Sequence, residues 1–283
     1  SIHMVLAEVQ PDYTYKILDR FKDMTRLGDG VFTSRRLSDQ AMMRGLEVIR
    51  NLVTLARNKG YERIEGVATS AVREARNGGE FLDHVAQQTG LTVRVITGAE
   101  EARLIFLGVQ NSVALPEPPT LVIDIGGGSV EVIVGNRETI YQARSLKLGA
   151  IRLKDLYLTK TPPSKAMLHE LEEAVTGQLK QALGTYKTKR VEQIIATSGM
   201  AGNLAEVIYL QRTGRPLQQL NLTKISAKEI AAVEKRLADA TLKTRLAMPG
   251  LDPKRVDTLL PATIVFRILL DLLQKNELTI CDK

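Results

Sequence analysis

An α/β fold divided into two domains is what this sequence predicts, and three observations predict it. Segments rich in β-branched residues alternate with segments whose apolar residues recur at helical spacing, the pattern of strands alternating with helices. The 283 residues exceed the roughly 150 taken as one domain's length, and 44% of them are hydrophobic, enough for substantial cores. The pattern is interrupted at Leu115-Pro116-Glu117-Pro118-Pro119, where three prolines in five residues stop any helix and stiffen the chain as a connector. The boundary is expected there, with domains over residues 1–117 and 118–283.

Each element has a local reason. Residues 2–9 and 13–18 are rich in strand formers, and Pro11-Asp12 between them supplies turn chemistry, so the chain opens on a predicted hairpin. A helix is predicted over 38–58: Ser38 is a good N-cap, Met42, Leu46, Ile49, Leu52, Val53 and Ala56 follow at helical spacing, and Gly60 ends it. Residues 63–68 read as a short strand, 80–88 as a helix, 91–97 as a β-branched strand and 100–113 as a helix. Beyond the prolines, 120–125 and 129–134 read as two strands of a hairpin separated by Gly126, Gly127 and Gly128, with a third strand at 140–146. A long helix over 164–185, a buried strand at 193–196, a helix over 227–240 and an apolar final helix over 262–274 complete the reading.

Composition narrows the function. Lys and Arg number 39 against 32 Asp and Glu, a net charge of +7 that favours a polyanionic partner. Nucleic acid is not expected to be that partner: five Phe, seven Tyr and no Trp give little material for base stacking, and Lys187, Lys189 and Arg190 read as a solvated basic segment. A lone Cys281 excludes an internal disulfide framework, and His3, His84 and His169 are too far apart in sequence for local metal-ligand spacing. No apolar run approaches the roughly 20 residues that cross a bilayer, and the first residues lack a signal-peptide pattern. A cytoplasmic protein without membrane partners is expected.

Four segments can carry chemistry. In Asp124-Ile125-Gly126-Gly127-Gly128-Ser129-Val130-Glu131, three glycines let backbone N–H groups approach a phosphate, and the flanking acids suit a divalent cation or an attacking water. A strand rather than a helix follows the glycines, which excludes a Rossmann loop or a P-loop. Alternation places Ser129, Glu131 and Ile133 on one face and Val130, Val132 and Val134 on the other; an ordinary hairpin with a glycine turn is the competing reading. Gly98-Ala99-Glu100-Glu101-Ala102-Arg103 opens a helix, where acids also serve simple helix-end electrostatics. Glu101 shares a face with Leu104, Ile105 and Gly108, which favours it as the desolvated acid, whereas Glu100 is spaced to pair with Arg103. The hydroxyls and arginines of Thr69-Ser70-Ala71-Val72-Arg73-Glu74-Ala75-Arg76-Asn77 suit phosphate oxygens or a polar surface loop. Ser198-Gly199 turns a strand into a helix, whose N-terminus accepts an anion or is a plain connection.

Together these segments resemble the exopolyphosphatase and guanosine pentaphosphate phosphatase family, within the fold group of actin, heat-shock chaperone ATPases and sugar kinases. The resemblance runs over nearly the whole chain, through Ser1-Ile2-His3-Met4-Val5, residues 26–30, Thr69 to Arg73, Gly98 to Leu104 with Phe106 and Gly108, Asp124 to Glu131, and Ser198-Gly199. It implies two actin-like, ribonuclease H-like domains with the active site in the cleft between them. It further implies that Glu101 is the catalytic base, that Gly126, Gly127, Gly128 and Ser129 with Ser198 and Gly199 bind phosphate, that Asp124 and Glu131 hold magnesium, and that Arg73 grips a phosphate. The implied reaction is metal-dependent hydrolysis of a terminal phosphoanhydride, with inorganic polyphosphate as first substrate and guanosine pentaphosphate as second. A non-hydrolytic sensor of guanosine tetraphosphate on the same fold and a sugar-kinase-like phosphotransferase are the alternative readings, and a homodimer is the one protein assembly left open. In the family an Asp-x-Gly-Ser-Asn-Ser loop precedes the first strand, and this chain begins at what resembles its final serine, Ser1; the natural protein is therefore expected to be longer.

Overall fold

The protein is described by a computed structural model covering residues 1–12, 14–184 and 191–282. Tyr13, Thr185 and the basic Lys187, Lys189 and Arg190 lie outside the described residues. The chain divides into two compact units, Ser1–Ile96 and Thr97–Lys283.

The first unit opens as expected, on an antiparallel hairpin of β1 (Ile2–Val9) and β2 (Tyr15–Asp23) with a register shift between Leu6 and Ala7. Asp12 closes the turn, its Oδ1 accepting from Thr14 N at 3.0 Å and Thr14 Oγ1 at 2.6 Å. After the short α1 (Val31–Ser34) comes α2 (Asp39–Asn58), capped by Ser38, whose Oγ accepts from Ala41 N at 3.2 Å. A parallel pair, β3 (Gly66–Ala68) and β4 (Val93–Val95), flanks α3 (Ser70–Glu74) and α4 (Gly78–Thr89). Buried Asn77 ties these parts together: its Oδ1 accepts from Leu37 N at 2.8 Å and its Nδ2 donates to Leu37 O at 2.9 Å, so a polar side chain enters the core fully satisfied.

The second unit begins with α5 (Gly98–Gln110), capped by Thr97, and continues through β5 (Thr120–Ile125), β6 (Val130–Gly135) and β7 (Ile140–Leu146). Then follow α6 (Ala150–Tyr157), α7 (Lys165–Leu183), β8 (Gln193–Thr197), α8 (Ser198–Thr213), β9 (Lys224–Ser226), α9 (Ala227–Asp239), α10 (Leu242–Leu246), α11 (Leu259–Leu273) and β10 (Glu277–Ile280). One six-stranded sheet runs in the order β7-β6-β5-β8-β10-β9. Its first three strands form an antiparallel meander, β8 joins β5 in parallel, and β10 joins β8 in parallel. That is the strand order of an actin-like, ribonuclease H-like domain, with β9 added antiparallel at the edge.

Alternation along the central strands decides what covers each face. Leu121, Ile123 and Ile125 of β5 and Val130, Val132 and Val134 of β6 join the large core under the helices from α6 to α11. Val122, Ile133 and Ile195 face the other way, onto Ala102, Phe106 and Val109 of α5. This second layer moves the division between the units from where the prolines suggested. Residues 115–119 do break the chain after α5, but α5 is packed on β5, β6 and β7, so the division falls at Ile96/Thr97. A proline segment marks where secondary structure stops; packing decides which core a helix belongs to. Also absent from the sequence reading were α1, α3, α6, α10, β9 and β10, all of eight residues or fewer and too short for periodicity to register. Among the described residues no helix is long and apolar enough to cross a membrane.

Phe106 is fully buried at the centre of the α5 layer. Phe106→Ala is therefore expected to destabilise the second unit by about 3–5 kcal/mol, read as a lowered midpoint in denaturant unfolding.

Candidate active site

Two parallel strands, β5 and β8, end side by side, with Asp124 paired to Thr197; on its other edge Asp124 pairs with Glu131 of β6. Ligands in open α/β sheets collect outside such carboxyl ends. Asp124 is half-buried there, and the chain leaves it into the glycine loop that joins β5 to β6.

The loop is not the flexible turn that three glycines suggest, since none of Gly126, Gly127 and Gly128 adopts a left-handed φ. Close approach is what requires small residues here. A Cβ on Gly127 would meet Ile151 Cδ1 at 3.0 Å, and one on Gly149 would collide with the backbone of Gly127 and Gly128. The intimacy has a purpose in hydrogen bonding. Gly126 N donates to Ser129 O at 3.0 Å and closes the loop. The start of α6 then donates into it: Ala150 N to Gly126 O and Ile151 N to Gly127 O, both at 2.9 Å, and Arg152 N to Gly127 O at 3.1 Å. These are helix-start donors that would otherwise lack partners. Buried Arg152 adds a fourth bond, from its Nε to Gly128 O at 2.7 Å. In a trans peptide the C=O and the next N–H point oppositely. With the three glycine carbonyls turned to α6, the N–H groups of Gly127, Gly128 and Ser129 are presented on the side away from it, the arrangement of an anion-binding nest.

Glu131 is the most constrained group of the site, 1% exposed on the face shared with Ser129 and Ile133, as alternation requires. Ser145, its cross-strand partner on β7, donates from Oγ to Glu131 Oε1 at 2.7 Å, and Ser129 hydrogen-bonds the same carboxyl. Burial, then the charge of Glu101 and more weakly that of Asp124, push the Glu131 carboxyl up to about 8 against these hydrogen bonds. Glu101 thus lies within electrostatic reach of Glu131, in the first turn of α5, which is ordered by Thr97: Glu100 N donates to Thr97 Oγ1 at 3.1 Å and Glu101 N to Thr97 O at 2.9 Å. Both glutamates are half-buried, so exposure does not separate them; the charge that acts on Glu131 is that of Glu101.

Ser198 follows Thr197 at the end of β8, with φ 96, a left-handed value that costs a non-glycine residue energy. Its Oγ accepts from Met200 N at 3.2 Å and Ala201 N at 3.4 Å, so the hydroxyl is engaged in starting α8, with Gly199 beside it. Arg73 belongs to the first unit, in the last turn of α3, where its Nη1 donates to Ile96 O at 2.7 Å. The second unit by itself therefore gathers Glu101, Asp124, the 126–129 loop, Glu131 and Ser198-Gly199. Sequence reasoning missed Ser145, Gly149 and Arg152. The available signal for Arg152 was a cation in the first turn of a helix, against the macrodipole, which calls for a local partner.

Comparisons with known proteins show the family. The model of the Ppx/GppA phosphatase family matches residues 5–283. This chain belongs to that family. Exopolyphosphatase 2 of Mycobacterium tuberculosis is 29% identical over 275 residues, which cover 94% of this chain and 85% of the relative. The crystal structure of an exopolyphosphatase from Cytophaga hutchinsonii superposes with a TM-score of 0.89 at 28% identity, over 99% of this chain and 90% of that one. The PPX-GPPA enzyme of Aquifex aeolicus gives a TM-score of 0.80 at 25% identity, over 99% and 91%. The resemblance read from the sequence stands, and so does the α/β fold class. As a member of the Ppx/GppA family the chain is an enzyme of the phosphoanhydride-hydrolase class.

Glu131 also sets a pH dependence. The unfolded chain releases this proton near 4.5 and the folded chain near 8. Between those values the unfolded state holds fewer protons, so the contribution of Glu131 to stability is lost as pH rises from about 4.5 to about 8 and levels off above. The full swing is on the order of 5 kcal/mol. In chelator, Glu131→Gln is accordingly expected to raise the melting temperature above that of the parent at pH 8, with the difference vanishing below pH 4.5; thermal melts across that range are the check.

Proposed function

We propose that this protein hydrolyses the terminal phosphoanhydride of a linear polyphosphate chain, releasing orthophosphate, with inorganic polyphosphate as first substrate and guanosine pentaphosphate as second. One observation carries the reading: the charges of Glu101 and Asp124 both reach the buried Glu131 carboxyl, beside a glycine loop whose N–H groups are turned outward. Acids alone repel a phosphate and donors alone do not activate water. The combination suits both tasks.

Glu101 takes a proton from water, and the water oxygen forms a bond to the terminal phosphorus. The bond from that phosphorus to the bridging oxygen breaks, leaving a chain shorter by one phosphate. Glu101 then passes its proton to solvent. A carboxylate in this role typically contributes about 100- to 10,000-fold. Gly127, Gly128 and Ser129 donate from their N–H groups to the phosphate oxygens, and Ser198-Gly199 supply the neighbouring turn at the end of β8. For Arg73, anchored on Ile96 O within the first unit, the family resemblance implies a phosphate-gripping role for its rigid fork.

Asp124 and Glu131 are the residues that fit magnesium. Burial first, and then the charges of Glu101 and Asp124, raise the Glu131 carboxyl, and a cation offsets both the lost hydration and the repulsion. Among the described residues no group of three or more His, Cys, Asp or Glu is arranged to hold a metal. Magnesium typically takes one or two carboxylates and fills its remaining positions with water and substrate phosphates, which is in keeping with this donor set. When bound it neutralises charge on the transferred group. The +7 charge supports a polyanionic substrate over a neutral one.

Phosphate release from long-chain polyphosphate and from guanosine pentaphosphate, side by side with magnesium and with chelator, tests the proposal. Release from polyphosphate that chelator abolishes is the expected result. Release from neither, with tight binding of the nucleotide, would make the chain a sensor. Glu101→Gln is expected to lower turnover about 100-fold or more while leaving substrate affinity within a few-fold; unaltered turnover removes Glu101 from the role of base.

A further inference from the structure

We infer that Arg152 is a positioning residue for phosphate binding: without touching the ligand, it aims and polarises the N–H groups of the glycine loop from behind. The inference rests on the reading of residues 126–129 as the phosphate loop and adds to it a residue outside the loop.

Arg152 is 5% exposed, and a buried guanidinium is costly to hold unless it is well engaged. It engages the loop twice, through its backbone N to Gly127 O at 3.1 Å and through Nε to Gly128 O at 2.7 Å. The Nε bond differs in kind from the three that the α6 backbone makes. A charged donor on the Gly128 carbonyl withdraws electron density from the Gly128–Ser129 peptide, and hydrogen-bonded chains of this type strengthen one another. The Ser129 N–H, on the opposite side of that peptide, becomes the better donor. Gly149 lets this happen, because any side chain there would force α6 off the loop backbone. A charge-assisted bond therefore stands behind the peptide that joins the glycine run to Ser129, and Ser129 itself hydrogen-bonds the Glu131 carboxyl. Lysine reproduces this only in part, since its compact, strongly hydrated ammonium on a flexible stem is less readily held buried against that carbonyl.

The test compares parent, Arg152→Lys, Arg152→Met and Arg152→Ala, with orthophosphate as the probe ligand. Titration calorimetry is expected to show about tenfold or greater loss of phosphate affinity in Arg152→Met, the scale of a charge-assisted hydrogen bond, and a smaller loss in Arg152→Lys. In the amide spectrum of labelled protein, the Ser129 N–H proton is expected to move upfield in Arg152→Met before any ligand is added. Guanidinium ion at millimolar, non-denaturing concentration is expected to restore part of the phosphate affinity to Arg152→Ala. A merely structural role would lower the melting temperature without these signatures. Folded variants with unchanged phosphate affinity and an unchanged Ser129 resonance overturn the inference; if Arg152→Met does not fold, Arg152→Lys carries the same comparison. Because the probe is orthophosphate, a parent protein that binds phosphate but cleaves neither polyphosphate nor guanosine pentaphosphate would refute the proposed reaction while leaving the role of Arg152 intact.

Discussion

A carboxyl group buried between a sheet and a helix is the constraint around which the second unit is arranged. Glu131 loses its hydration on the face of β6 that α5 covers, and Glu101 and Asp124 add like charge to the loss of water. Hydrogen bonds from Ser145 and Ser129 recover only part of this, as the raised carboxyl shows. Folded proteins are stable by only about 5–15 kcal/mol, so a penalty of this kind persists only where the surrounding packing is strong. Here the packing consists of Phe106, Ala102 and Val109 against Val122, Ile133 and Ile195 on the same face, and of the large aliphatic core on the other. The strain at Ser198 belongs to the same arrangement: an unfavourable backbone stands at the carboxyl end of β8, beside the acids.

The glycine loop is the complementary half. Its carbonyls are consumed by the start of α6 and by Arg152, which leaves it an object with one polarity, N–H groups outward. Acids and donors thus sit next to each other without cancelling, because they leave the backbone at different points: Asp124 before the loop, Glu131 after it and Glu101 from another layer. Glycine serves here by being thin enough for a helix to seat on the loop, and not by reaching unusual dihedral angles.

Much of this was legible in one dimension. Ser38 caps the helix it was expected to cap, and β5 and β7 fall where the β-branched runs placed them. Alternation correctly assigned Glu131 to the face of Ser129 and away from the valines. The proline segment misled because it reports where the chain cannot be helical, and α5 had already returned to the sheet before it. Arg152 was passed over because a charged residue at a helix start ordinarily points to solvent, and only its burial reveals otherwise. Ser145 was equally invisible, since its partner lies across a strand pair whose register no local pattern specifies.

By itself the sequence determined the longer elements, their order, the two sides of the strand that follows the glycines, and the residue types available for phosphate chemistry. These are local properties: periodicity, caps and turns depend on neighbours a few positions apart. The tertiary structure decided which of those residues meet. Glu101 and Glu131 belong to different elements, joined by a proline connector and a strand, and nothing within either segment states that α5 lies over the face of β6 that carries Glu131. Periodicity says which side of a strand is to be covered; which helix covers it, and therefore which charge is held near which, follows from the packing of the whole unit.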